Sequence, residues 1–261
     1  MTAGWPNISA LSTTDFQRGL KNAHNALYWL IRITNSYIPA TSGQPYADLN
    51  WDGDKKMVVT PMFEGNLQVA LELHNLEMYF LEDGEASKHS FWFDDRTPAH
   101  VQAWMLVELL HRGKDRDKFS IDLPYAADNL WMGDSEEHDS SEFMAELSVI
   151  NQSFIKSAGI LNDAVAQLGQ SRDNPAAGTS LSIWSRSFAI GHDMKLGNGS
   201  TVRMGMSAGD QLRGCPFFFV DATGDDARID YNPNNVVSLK RISEDNMSDA
   251  DIVEILTKAV A

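Results

Sequence analysis

The chain is poor in the features that most directly announce a chemistry. It has one cysteine, Cys215, which excludes an internal disulfide. It has no C-x-x-C motif. Its seven histidines, at positions 24, 74, 89, 100, 111, 138 and 192, make no H-x-H, H-x-x-x-H or H-E-x-x-H spacing. A metal centre would therefore have to be assembled from distant segments, and the sequence points to no metal and no cofactor. No apolar run approaches the ~20 residues of a membrane helix. The first residues, Met-Thr-Ala-Gly-Trp-Pro, carry neither the basic nor the apolar region of a secretory signal. Basic residues are also scarce. Twenty-one Lys and Arg stand against 36 Asp and Glu, a formal net charge of −15. The basic runs are Lys55-Lys56 and Lys240-Arg241, too short to track a phosphate backbone. These deficits lead us to expect a cytoplasmic protein with neither nucleic acid nor membrane as partner. No P-loop, nucleophile elbow or dinucleotide fingerprint is present. Gly197-Asn198-Gly199 precedes no helix, so it reads as a hairpin turn and not as a phosphate cradle.

What is present is core material. Hydrophobic residues make up 43% and charged residues 22% of the 261 positions, with seven Trp and twelve Phe. That is the balance of a globular protein with one large domain or two small ones. Thr14-Asp-Phe-Gln17 fits a capping box, and Phe16, Leu20, Ala23, Leu27, Leu30 and Ile31 follow at helical spacing, ending near Tyr37. Residues 39–56 read as a loop. Strands are expected at 57–60, 67–74, 77–81 and 88–93. A second helix begins at Thr97-Pro98 and stops at Gly113. A short strand at 118–123 closes this half. Residues 124–140 form an acidic connection, and Asp134 to Asp139 reads as a solvated charge run. A long helix capped by Ser140 or Ser141 runs to Gly169, and a last helix starts at Ser248-Asp-Ala-Asp251.

Residues 180–221 form the centre of the second half. The alternation of 181–190 predicts one strand, with Trp184, Arg186, Phe188 and Ile190 on one face. Residues 201–206 form its return. Pro216-Phe-Phe-Phe-Val220 is a short buried strand with Pro216 at its start. Val236 to Leu239 is an edge strand. The fold class is thus α+β: antiparallel-rich sheet or sheets with about four main helices, in two helix–strands–helix halves, 1–123 and 141–261, as one compact body. The shared element order leaves an internal duplication as an open reading.

The segments Trp184-Ser-Arg-Ser-Phe188-Ala, Val202-Arg-Met-Gly-Met-Ser-Ala-Gly-Asp210 and Pro216-Phe-Phe-Phe-Val220 resemble the C-terminal half of an uncharacterised bacterial protein family. Its members read W-P-H-H-F-D, G-x-G-x-S-P-G-D and P-Y-x-Y-V. Asn50-Trp51-Asp52 and the Asp122-Leu-Pro-Tyr125 turn resemble its N-terminal half. The resemblance implies a fold and no reaction. Where the family carries two histidines and an aspartate, this chain has Ser185 or Arg186 and Ala189, which neither bind metal nor move a proton.

The candidate ligand-binding residues are Trp184, Arg186, Arg203 and Asp210 on or beyond neighbouring strands, with Trp51 and His24 from the first half. A ring beside a guanidinium can hold a flat or anionic group. The alternative is an Arg186–Asp210 ion pair that only fixes strand ends. Cys215, before an apolar run, reads as a packed residue and not a nucleophile. Asp221-Ala-Thr-Gly-Asp225-Asp226 lacks the glycine of a calcium loop and reads as a solvated turn. Two function classes stay open: a small-molecule-binding protein or divergent enzyme with a pocket near 184–210, and a non-catalytic homo-oligomeric or partner-binding protein.

Overall fold

A computed structural model describes residues 4–8, 11–39, 47–170, 177–178, 180–197, 199–210, 213–221 and 236–260. The fold is α+β with antiparallel strands. It divides into two compact units, Arg18–Ser148 and Met1–Gln17 with Val149–Ala261.

The Arg18–Ser148 unit takes most of helix α1 (Thr13–Tyr37), strands β1 (Leu49–Asp52), β2 (Met57–Val59), β3 (Leu67–Glu72), β4 (Glu77–Glu82), β5 (Glu85–Ala86) and β6 (Phe91–Trp92), and helix α2 (Pro98–His111). The strands lie in the order β1-β2-β3-β4-β5, and β6 also pairs with β4. Met57, Val59, Ala70, Tyr79 and Leu81 cluster as a buried group, and Val69, Leu71, Met78 and Phe80 are buried as well. Both faces of β3 and β4 are therefore covered. Asp83 and Gly84 take φ of 52° and 83°, as a two-residue hairpin turn requires. Thr97 caps α2 with His100 as its reciprocal partner, and Gly113, at φ 64°, follows its end.

The second unit holds most of helix α3 (Met144–Gly169), strands β7 (Ala177–Gly178), β8 (Ser182–Trp184), β9 (Ala189–Lys195), β10 (Thr201–Ser207), β11 (Phe217–Asp221) and β12 (Val236–Ser238), and helices α4 (Leu239–Glu244) and α5 (Asp249–Val260). The order is β12-β11-β10-β9-β8, with β7 also on β9. Trp184, Ala189, Phe217 and Phe219 form a core cluster on which Val236 packs. Gly205 stands opposite Gly191 in the β9–β10 register. A Cβ on either would come within 2.8 Å of the Trp184 ring, so the two glycines form the floor on which that ring lies.

Several expectations change. The cap of α1 is Ser12, whose Oγ accepts from Asp15 N at 3.0 Å, two residues earlier than Thr14–Gln17. Residues 49–52 are a strand and not loop. Residues 116–118 are a 3₁₀ turn, and no strand forms at 118–123. Ser141 N donates to Asp94 Oδ1 at 2.7 Å, and α3 begins after it. The 181–190 strand is broken at 185–188, where Phe188 takes φ 45° and turns the chain. Arg186 therefore sits in a hairpin turn. Residues 222–235, with most of the candidate calcium loop, and Asn198 of the 197–199 turn lie outside the described residues. Among the described residues, no helix is long and apolar enough to cross a membrane.

Candidate functional site

Of the six residues singled out from the sequence, Arg186 lies in the 185–188 turn after β8, and the other five meet different fates. Trp184 is fully buried at the end of β8. Arg203 on β10 places its guanidinium carbon 4.2 Å from the centre of that ring. Its Nε donates to Asp193 Oδ1 at 3.0 Å. Ring and guanidinium do come together, but they are buried against each other. Asp210, after β10, pairs with Arg213 at 3.0 Å, and its backbone carbonyl accepts from Gln17 Nε2 at 2.9 Å. Its carboxylate is thus taken up by Arg213, accepting from the backbone N as well as the guanidinium. Trp51 on β1 and His24 on α1 belong to the other unit. Trp51 is buried, and the His24 ring lies 4.4 Å from that of Tyr28. Cys215 is partly buried, which pushes its thiol up and away from the reactive thiolate.

A different group carries coordination chemistry. His89, Glu108 and His111 place one ligand atom each within 4.8 Å of one another. The positions follow from local structure. Glu108 and His111 are three apart on α2, so both side chains share one face of the helix. His89 comes from the segment just before β6. Its backbone carbonyl accepts from Ser87 Oγ, and Ser87 N donates to Phe80 O at 2.8 Å, which ties the segment to β4. Glu108 Oε1 lies 3.6 Å from His89 Nδ1 and 3.8 Å from His111 Nδ1. The edge of a tetrahedron with zinc-like bonds of 2.0–2.1 Å is about 3.3–3.5 Å. Rotations of the two imidazoles, whose ligand atoms lie within 4.8 Å of each other, would bring the set toward that edge. Both are free to make them, with side chains 72% and 59% exposed, while the Glu108 side chain is only 4% exposed.

The carboxylate is fixed by its surroundings. Arg112 Nη1 donates to Glu108 Oε2 at 2.6 Å, one helical turn on. That bond occupies one oxygen and leaves Oε1 toward the imidazoles, the outer support that metal-ligating carboxylates usually have. Arg112 packs flat on Phe80, 4.5 Å from the ring centre. Its Nε lies 2.9 Å from Glu82 Oε1 but off the donor direction, a charge contact and not an aligned hydrogen bond. Two carboxylates and one guanidinium leave this neighbourhood one negative charge, to which a divalent ion is attracted.

Two neutral imidazoles and a carboxylate are ligands for zinc and its first-row neighbours and not for magnesium or calcium, which prefer oxygen alone. Three protein ligands leave at least one position for water or a small ligand. Glu108-Leu-Leu-His111 was a readable signal, since E-x-x-H sets both groups on one helix face. His89 had none, because only the tertiary fold brings it to α2.

A second group of buried polar atoms has no such character. His138 is fully buried between the rings of Phe93 and Trp131, 4.8 and 4.9 Å away. Its Nδ1 lies 3.0 Å from Arg96 O. Burial holds its pKa down to about 4, so it is a neutral core residue at neutral pH. Arg32 is buried nearby, its Nε donating to Ile121 O at 2.8 Å, and burial lowers its pKa to about 10.

No family model matches the chain, and neither a curated protein nor a solved structure matches it.

Proposed function

We propose that the chain is a metal-dependent small-ligand-binding protein, with His89, Glu108 and His111 holding one divalent first-row transition-metal ion of the zinc class. The observation that carries this reading is the convergence of two exposed imidazoles on the one oxygen of a buried carboxylate that Arg112 leaves unoccupied. An open coordination position would take water, an anion or a chelating small molecule, which gives the small-molecule reading a place outside the 184–210 strands. The ion would act there as a Lewis acid, and the protein would fix its ligands. The acidic, cysteine-poor composition fits a cytoplasmic setting and no nucleic-acid partner. The resemblance to the W-P-H-H-F-D family would then concern fold and not this centre, which lies outside those motifs.

The test uses cobalt(II) as a spectroscopic substitute. Metal-free protein titrated with cobalt should develop ligand-field bands that saturate at one equivalent, and zinc should bleach them. His89→Ala and His111→Ala, both changes at exposed side chains, should each lose the bands. Equal bands in the double variant would overturn the reading.

A second reading, self-association or partner binding, is favoured by Val107 and Leu110, exposed apolar residues three apart on α2 beside Glu108 and His111. Concentration-dependent light scattering, abolished by Val107→Asp with Leu110→Asp, would support it. A monomer at all concentrations would exclude self-association.

A further inference from the structure

The Arg18–Ser148 unit carries a surface groove of about 290 Å³, lined by Asn75, Glu77, Trp92, Ser140, Ser141 and Met144. None of these is a ligand of the His89–Glu108–His111 group. From the chemistry of this lining we propose that the groove is a binding site for a small organic cation, a substituted ammonium group.

Trp92 supplies the first argument. It is 52% exposed, unusual for the most costly aromatic side chain to leave in water. It is nevertheless held in place. Its Nε1 donates to Asn75 O at 3.0 Å, and its backbone stands opposite Glu77 in the β4–β6 register. An exposed indole with its one donor already used presents a bare π-face, which is the surface that attracts a cation.

Glu77 supplies the second. It is the cross-strand neighbour of Trp92, at the first position of β4. Asn75 fixes it twice, with Nδ2 donating to Glu77 Oε2 at 3.3 Å and Oδ1 accepting from Glu77 N at 3.2 Å. Among the described residues, Glu77 has no Lys, Arg or His within ion-pair distance. A carboxylate that lines a groove, is held by Asn75 and has no cation beside it among the described residues is the complement of a cationic guest.

The far wall fits the same guest. Met144, 50% exposed at the start of α3, offers a polarizable thioether to N-methyl or N-methylene groups. Ser140 Oγ and Ser141 N both donate to Asp94 Oδ1, at 3.3 and 2.7 Å, so the hydroxyl-bearing wall is backed by a second carboxylate. Burial first, and then Glu142, Asp94 and Asp95 against the opposing pull of Arg18, raise the pKa of Asp139, which leaves this end of the unit a net negative potential. An anion would be repelled there. A neutral apolar guest would gain the ring and the thioether but not the field.

The experiment compares choline with its neutral isostere 3,3-dimethylbutan-1-ol, by calorimetry and tryptophan fluorescence, with EDTA present throughout. The chelator removes the metal centre from the outcome, so failure here and failure of that centre are separate results. Choline should bind at least about tenfold more tightly than the isostere, since the two differ only in charge. Trp92→Ala should abolish measurable choline binding, and Glu77→Gln should weaken it by roughly tenfold. Both side chains are at the surface, and unchanged melting temperatures would show that the variants fold. Equal binding of the two probes, unaltered binding by Trp92→Ala, or no choline binding at millimolar concentration would each overturn the proposal.

Discussion

Arg203 and Trp184 are buried face to face, guanidinium carbon to ring centre 4.2 Å, and the edge of the same indole rests over Gly191 and Gly205. The stacking explains why β9 and β10 each carry a glycine at mid-strand, where that residue usually weakens a sheet. A Cβ on Gly205 would lie 2.8 Å from the Trp184 ring and 2.6 Å from Ile190 O. A Cβ on Gly191 would meet Met204 O at 2.3 Å. In an ordinary strand, Gly→Ala is stabilising by roughly 0.5–1 kcal/mol. Here we predict the opposite sign, a loss of about 1–3 kcal/mol from overpacking for Gly205→Ala. Urea midpoints measure it. Shrinking the ring with Trp184→Leu in the Gly205→Ala background should recover part of the loss. A stabilised Gly205→Ala protein would refute the packing account.

His138 gives a pH prediction with a definite sign. Its pKa is about 4 in the folded chain against the usual 6.5, because burial disfavours the imidazolium and Arg32 adds to that. Between these values the unfolded chain binds a proton that the native chain refuses. The associated stability is complete above pH 6.5 and is lost as pH falls toward 4. The gap corresponds to about 3 kcal/mol. The imidazole signal of His138 in a proton NMR titration should stay neutral down to pH 5. A midpoint near 6.5 would show that water reaches the ring.

The first helix offers a direct contest between two caps. Ser12 Oγ accepts from Asp15 N and donates to Asp15 Oδ2 at 2.8 Å, and Phe16 N donates to Ser12 O at 3.0 Å. Thr14–Gln17 carries the same residue signature two positions later. It cannot act as the cap because Thr13 and Thr14 are already helical and Gln17 reaches Asp210 O instead. Ser12→Ala should cost about 1 kcal/mol and Thr14→Ala much less. Amide exchange of residues 13–16 reads the difference. The reverse order would return the cap to Thr14.

That contest shows where the chain was legible and where it was not. The interior of α1, the turn at Asp83-Gly84 and the cap at Thr97-Pro98 could be read because helical spacing, left-handed φ and a missing proline N–H are local facts. The break at 185–188 could not. Trp184, Phe188 and Ile190 keep even spacing across it, so alternation runs through a turn that only Phe188, at φ 45°, betrays. The same break moved Arg186 off the strand and left Arg203, from β10, as the neighbour of Trp184. Charge partners were hidden for a related reason. The sequence offers Arg186 as a partner of Asp210, and the structure shows Arg213 paired with it at 3.0 Å. Within the candidate metal centre, Glu108 and His111 could be paired from the helix period alone, whereas His89 depends on how a turn after β5 is tied to β4.

The metal proposal carries a thermodynamic consequence that binding spectra alone do not test. The unfolded chain separates His89 from Glu108 by 18 intervening residues, so the three ligands converge only when β4, β6 and α2 are in place. An ion that binds this group therefore binds the native state alone and must stabilise it. At a free zinc concentration 100 times the dissociation constant the gain is about 2.7 kcal/mol. Melting temperature should rise with zinc and fall back with EDTA. Magnesium, which prefers six oxygens, should leave it unchanged. The variant His89→Ala with His111→Ala should melt like the metal-free protein and ignore zinc, because both side chains are exposed and their loss removes little packing. Should that variant gain as much from zinc as the parent, the ion would be acting elsewhere on an acidic surface. Glu108, Arg112 and Glu82 would then be an ion-pair network that holds α2 against Phe80, with the two histidines as its solvent-facing fringe.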